Sequence, residues 1–298
     1  MSRFGSRLRH YLGAPRPEGL AAANGGRLFA QVRQLEVRAR QAMTAGLAGQ
    51  YNSAFKGRGL EFEEVRDYRS GDDVRTIDWN VTARTGRLHV KLFREERDLT
   101  VLLLADLSAS TLFGSGPMTV HDLIAEVSGL FALAAGRRDR VGAVLFDDHV
   151  RAIIPPRRGW RHGLRVAGQL LAAEPAGRGT AVGEAMGAAA RLLHRRGIVI
   201  PVVDRACVLP SRELRALGAR HDVVVIRVGD PLLERCAPGA PLPVSWAEGR
   251  GRAVLAAGRL KPPPPLPAGV DVVELSTGED YLPAVRALFR ERERRRAR

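Results

Sequence analysis

Two hydrophobic periods divide the chain. Leu28, Val32, Leu35, Ala39 and Ala42 recur at threes and fours, the spacing of one buried helix face, so an amphipathic helix is predicted from Arg27 to about Gly46. From Leu99 onward, unbroken apolar runs alternate with helix-period segments. TVLLLAD (100–106), RVGAVLF (140–146), GIVIPVVD (197–204), DVVVIRVGD (222–230) and GVDVVELS (269–276) read as strands. VRAIIPP (150–156) is expected to pair with RVGAVLF across the DDH turn. Helices are predicted over about 119–136, 160–173, 181–195 and 210–219. Strands apolar at every position, separated by helices, indicate an α/β fold: a largely parallel sheet with helices on both faces.

The intervening stretch has another texture. Leu60 and Phe62 suggest a short strand, RSGDD (69–73) a turn, and RLHVKL (87–92) an alternating strand, while DVRTIDWNVTAR (73–84) reads equally as helical turn or strand. The expected organisation is an arm over 1–26 rich in Gly, Pro and Arg, a helix and linker over 27–57, a small β-containing module over 58–98, and the α/β domain over 99–298. Within the last, residues 231–267 are rich in Pro and Gly and include KPPPPLP (261–267), predicted as a stiff surface excursion; RALFRERERRRAR (286–298) is predicted as a terminal helix with charged, solvated faces.

At 298 residues and 45% hydrophobic content the chain can bury a large core. No apolar run approaches the ~18 residues that span a bilayer and no signal-peptide block follows the basic start, so a cytoplasmic protein without membrane insertion is expected. Cys207 and Cys236 form neither a disulfide framework nor a CxxC zinc pair, and are read as packed, reduced thiols. A net charge of +15 raises the question of nucleic acid. Aromatic residues at 5% supply little stacking surface. An arginine-rich surface facing an acidic protein partner is favoured over nucleic-acid binding.

The candidate chemistry begins where TVLLLAD ends. Asp106 is followed at alternate positions by Ser108 and Ser110; Asp204 ends another strand, and Thr180 sits in a glycine-flanked loop, GRGTAVGEAM (177–186), that opens a helix. In open parallel sheets, ligands bind beyond the carboxyl ends of strands where strand order reverses. Carboxylate and hydroxyl oxygens are hard donors suited to Mg²⁺ (with Mn²⁺ or Ca²⁺ as alternatives) rather than Zn²⁺. Two carboxylates neutralise a divalent ion, and three hydroxyls add no further charge. Such an ion stays electrophilic toward an outside carboxylate.

DLSAS (106–110), with Thr180 and Asp204, resembles the metal-ion-dependent adhesion site of von Willebrand factor A domains. More specifically, GRGLEFEEVRDYRSGDDVRTIDWNVTAR (57–84) followed by that site resembles the bacterial domain-of-unknown-function family fifty-eight, often found beside MoxR-type AAA+ ATPases. The resemblance implies a von Willebrand factor A-like (Rossmann-like) fold. It also implies that Ser108 and Ser110 touch the ion, that Thr180 does so directly or through water, and that Asp106 and Asp204 hold its waters. Partnership with the ATPase in chaperone-like assembly or activation of other proteins is implied too, with no settled activity. Three departures stand out: Asp204 follows a valine where relatives place a serine or threonine, Pro201 interrupts its strand, and the N-terminal membrane helices of many relatives are absent.

Simpler roles compete for other residues. Asp72, Asp73, Arg75, Asp78, Trp79 and Arg84 read as a structural network joining module and domain, with a partner-binding surface as the alternative; Asp147 and Asp148 read as hairpin-turn residues, with flanking the metal as the alternative, and His149 and His162 are assigned no role. The alternatives are a metal-dependent phosphoryl-transfer enzyme and an arginine-rich nucleic-acid binder. The first lacks the second acid two residues after Asp106, where Ser108 stands, and no P-loop or GxSxG elbow occurs. A non-enzymatic, metal-dependent protein-interaction module is the expectation.

Overall fold

A computed structural model describes residues 25–55, 61–94, 99–177, 179–234, 242–245, 252–255, 265–267 and 269–297. Most of the predicted arm, Cys236, and residues 261–264 of KPPPPLP lie outside them. The chain divides into two compact units, one formed up to Phe55 and from Leu99 onward, the other from Lys56 to Asp98.

The N-terminal period gives helix α1 (Gly25–Ala42), with Leu35, Ala39 and Ala42 buried. Helical structure does not stop at Gly46. A π-helical turn over Met43–Leu47 kinks there, with Gly46 at φ 96°, a conformation cheap only without a Cβ. The chain then re-enters a helix, α2 (Ala48–Phe55), whose Tyr51, Ala54 and Phe55 are buried. The stretch expected to be a linker is therefore core.

In the small unit, strands β1 (Glu61–Asp67) and β2 (His89–Arg94) pair antiparallel, Asp67 opposite His89. The ambiguous segment between them is helical: a 3₁₀ turn over Val74–Thr76 and helix α3 (Trp79–Thr85). Its acids dictate this. Asp73 accepts from the Arg75 N–H (2.9 Å), and Asp78 accepts from the N–H groups of Asn80 (2.9 Å) and Val81 (3.2 Å). Asp72 accepts two hydrogen bonds from Arg66 and one from the Arg69 N–H, each 2.8 Å; these hold its carboxyl down at about 2.

The larger unit is built on β3 (Thr100–Asp106), α4 (Val120–Ala135), β4 (Arg140–Phe146), β5 (Val150–Arg157), α5 (Trp160–Ala172), α6 (Val182–Leu192), β6 (Ile198–Asp204), α7 (Ser211–Gly218) and β7 (Asp222–Gly229). A short hairpin of β8 (Leu242–Ser245) and β9 (Arg252–Leu255) interrupts the excursion, which is thus not purely extended; β10 (Asp271–Ser276) and α8 (Leu282–Ala297) complete the unit. The six-stranded sheet has the order β10-β7-β6-β3-β4-β5, parallel except for the edge strand β5, and is consistent with a von Willebrand factor A-like α/β fold.

Alternation within β3 explains its unbroken apolar run. Val101, Leu103 and Ala105 join one core with α1, α2, α4, α5 and α8, while Leu102 and Leu104 join a second core with α6 and α7. Pro201 lies in a central strand opposite Leu104. Pairing of β6 with β7 skips Ile200 and Pro201 and resumes in the same register at Val202, so the missing N–H is absorbed without a slip.

The terminal helix is not solvated all round. Val285, Leu288 and Phe289 are buried, and Phe289 stands edge-on to Phe55 (5.5 Å between centroids) and Phe131 (5.9 Å). Arg292 is buried as well. It donates to Asp222 and Asp271, the first residues of β7 and β10, and lies 4.7 Å above the Phe55 ring. Removing one partner of such a buried network strands the rest. Arg292→Ala is expected to lower unfolding free energy by about 3 kcal/mol or more, read in urea as a lower midpoint at unchanged slope.

Candidate metal centre

The strand order places the reversal point between β3 and β6: the chain leaves β3 toward β4 on one side and later returns to β6 on the other. Both strands end there in an acid. Asp106 is fully buried and Asp204 partly exposed.

Short backbone bonds assemble the surrounding loops. Leu107 N–H donates to the Phe146 carbonyl (2.7 Å), tying the end of β3 to that of β4. Ser108 N–H donates to Asp106 Oδ1 (2.9 Å), and Asp204 N–H reaches Asp106 Oδ2 at 3.4 Å. Ser108 Oγ and Ser110 Oγ lie 3.1 Å apart. The two hydroxyls are hydrogen-bonded to each other, and this length is also compatible with the roughly 3 Å between neighbouring oxygens on an octahedral ion with bonds of about 2.1 Å. Asp106, Ser108, Ser110 and Asp204 are thus brought together directly.

Thr180 arrives by its loop. Ala109 N–H donates to the Gly177 carbonyl (3.0 Å), and Ala181 N–H to the Asp147 carbonyl (2.5 Å), fixing the segment at both ends. Gly177 is required: a Cβ there would lie 2.4 Å from Asp147 Cβ and Cγ. Asp147 is buried, unlike an ordinary turn residue, and packs the Thr180 loop against the β4–β5 turn. Its burial was missed from sequence; the available signal was an acid at the end of a strand beside β3. Asp147, Asp148 and His149 form the one group of three His, Cys, Asp or Glu ligand atoms within 4.8 Å of one another among the described residues. Asp148 Oδ1 and His149 Nδ1 lie 2.5 Å apart within the same exposed turn, so His149 belongs to a local turn network.

Two fully buried acids at strand ends differ in how they are satisfied. Burial pushes the Asp230 carboxyl up, but bonds from Ser115 N–H (2.9 Å), Ser115 Oγ (2.6 Å), Thr277 Oγ1 (2.7 Å) and Leu232 N–H (2.9 Å) overcome it, leaving the group below its ordinary range. For Asp106 burial wins. Bonds from Ser108 pull its pKa down, the charge of Asp204 pushes it further up, and the carboxyl settles at about 6. Asp106, Asp204, Ser108 and Ser110 offer oxygen donors of the kind a hard divalent cation takes, with Thr180 on the adjoining loop, and the charge of such an ion would offset the desolvation of Asp106.

Fold and site together define an α/β protein, its sheet consistent with a von Willebrand factor A-like fold, with an oxygen-donor cluster at the carboxyl edge. The chain belongs to the family described as protein of unknown function DUF58, whose model matches residues 64–240. Uncharacterised proteins of Mycobacterium tuberculosis and Mycobacterium bovis are 35% identical over 210 residues, 69% of this chain and 66% of theirs, so the match spans just under two thirds of those relatives. Among solved structures, the chain is similar to BatB from Bacteroides thetaiotaomicron (19% identity, TM-score 0.43, 66% of this chain and 99% of that one). It is also similar to an aerotolerance-related membrane protein from Bacteroides fragilis (15% identity, TM-score 0.44, 66% and 99%).

Two outcomes follow for the centre. Gly177→Ala should displace the Thr180 loop and weaken Mg²⁺ binding roughly tenfold or more by calorimetry; Gly179→Ala, whose added Cβ meets Asp148 at an ordinary 3.4 Å, should not. In chelator, the folded Asp106 pKa of about 6 lies above the ordinary 3.8. The folded state then binds the proton more tightly, a contribution complete below pH ~4 and lost as pH rises past ~6, on the order of 3 kcal/mol. Asp106→Asn should flatten that part of the stability–pH curve, and an unchanged slope would show that Asp106 is not its source.

Proposed function

We propose that the protein is a metal-dependent protein-interaction module in which a divalent cation, Mg²⁺ by preference, captures a carboxylate from a partner. The observation that carries this reading is the contrast between the two buried acids: Asp230 is satisfied by four protein donors, whereas Asp106 keeps a raised pKa beside a second acid and two hydroxyls at ligand spacing. The rim of the site supports a partner-facing role. Leu112 ends the 3₁₀ turn that contains Ser110, Val208 follows β6, and Leu232 lies in the helical turn Pro231–Glu234 after β7; all three are exposed apolar side chains on segments leaving one edge of the sheet.

Binding rather than turnover is favoured because the position two residues beyond Asp106 is a serine and, among the described residues, no nucleophile–base pair accompanies the acids. From the family resemblance, the partner we propose is a MoxR-type AAA+ ATPase acting in assembly or activation of other proteins. No helix among the described residues is long and apolar enough to cross a membrane; a cytoplasmic location is part of the proposal.

The test is retention of the ATPase on immobilised protein in Mg²⁺ and in EDTA. Retention is expected in Mg²⁺ alone and to fall at least tenfold for Asp106→Ala, a loss of about 1.4 kcal/mol or more, with the circular dichroism spectrum unchanged. Equal retention in both buffers by both proteins would retire the metal-dependent reading.

A further inference from the structure

A cleft of about 540 Å³ opens beside the start of α8, away from the residues of the candidate metal centre. Its walls come from three parts of the larger unit: the end of α1 with the following π-turn (Arg38, Gln41, Ala45), the residue Met118 ahead of α4, and the Thr277–Leu282 connection leading into α8. Its size falls within the range of about 300–1,000 Å³ that holds small organic ligands.

The charged groups lining it are not equivalent. Arg38 is paired with Glu126, which also accepts from the Tyr281 hydroxyl at 3.0 Å. Asp280 Oδ1 accepts from the Leu282 N–H at 3.1 Å, capping the first turn of α8, and Glu279 is likewise engaged. Arg286 differs. It lines the cleft half-buried, its Nε is out of reach of solvent, and it has no hydrogen-bond or ion-pair partner among the described residues. The shielded Nε cannot be reached from the cleft, but an anion that accepted from the solvent-reachable part of this half-buried arginine would form one of the stronger hydrogen bonds available to a protein.

The remaining walls narrow the ligand class. Ala42, Ala45, Met118 and Leu282 offer apolar contact, and Gln41 offers both an amide donor and an acceptor. A bare inorganic ion would leave most of this volume unused. We propose that the cleft binds a small organic anion, its carboxylate or phosphate paired with Arg286 and its carbon skeleton lying against the apolar wall.

The proposal is independent of metal binding at Asp106. It is tested by NMR titration of the full chain with citrate and with inorganic phosphate in EDTA, comparing wild type with Arg286→Ala, Arg286→Lys and Arg140→Ala. Arg140 is exposed at the start of β4 and reports general attraction to a basic surface. Saturable citrate binding is expected, with shifts centred on Gln41, Met118 and Leu282, tighter than phosphate. Arg286→Ala should weaken it about tenfold or more, Arg286→Lys less, and Arg140→Ala not at all. Absence of saturation at millimolar citrate, equal affinity in Arg286→Ala, or equal weakening by Arg140→Ala overturns it.

Discussion

Everything at the carboxyl edge depends on the reversal of strand order between β3 and β6. Because the chain builds outward from β3 in one direction and from β6 in the other, the loops leaving these neighbouring strands part and leave a crevice between them. A side chain at either strand end is walled in by parallel neighbours yet points to the opening. For Asp106 this means complete burial from water, with bonds from Ser108 and the Asp204 N–H that do not outweigh the desolvation, a situation a carboxylate relieves by holding its proton or by meeting a cation. The sheet topology thus creates the electrostatic demand, and the residues that follow Asp106 decide how it can be met.

They meet it with hydroxyls rather than charges. Lys or Arg in place of Ser108 or Ser110 would neutralise Asp106 internally, and the edge would become an ordinary buried ion pair. Instead, Arg205, which follows Asp204 directly, turns to Glu274 at 2.9 Å, and Asp147 is given to the Thr180 loop. The Asp230 hub shows the contrary solution one strand further on: its four donors come from three separate segments and tie them together. One edge therefore carries a closed, self-satisfied acid and an under-satisfied one, and only the second suits exchangeable ligation.

Much of this was legible in the sequence because the four inner strands β3, β4, β6 and β7 are apolar at nearly every position. That pattern arises only when both faces are covered, so RVGAVLF and DVVVIRVG fell close to their observed bounds, while the partly exposed edge strand VRAIIPP was placed by the turn that pairs it with RVGAVLF. The grouping of Asp106, Ser108 and Ser110 followed from alternate spacing at a strand end. What was not legible depended on partners distant in sequence. Gly46 reads as a helix stop, but its positive φ merely redirects the chain, and the buried face of α2 is recognisable only with Phe289 against it. Arg292 sits in a run of charges that reads as solvated; Asp222 and Asp271, 70 and 21 residues away, bury it. Asp147 looks like one of two turn acids until Gly177 is seen to make room for its side chain.

The same long-range pairing explains why α8 can border a cleft at one end and belong to the core at the other. A 16-residue helix is about 24 Å long, comparable to the strands it crosses. Near its C-terminal end Arg292 grips the first residues of β7 and β10, and at its start Tyr281 and Arg38 converge on Glu126 of α4. Held at both ends, the helix keeps Leu282 and Arg286 in register with Met118, which precedes α4, and with Thr277, which Asp230 ties to Ser115. The cleft is therefore bounded by fixed elements, and Arg286, which has no partner among the described residues, cannot swing into the core for relief, because the apolar face of α8 at Val285 and Phe289 already fills that space.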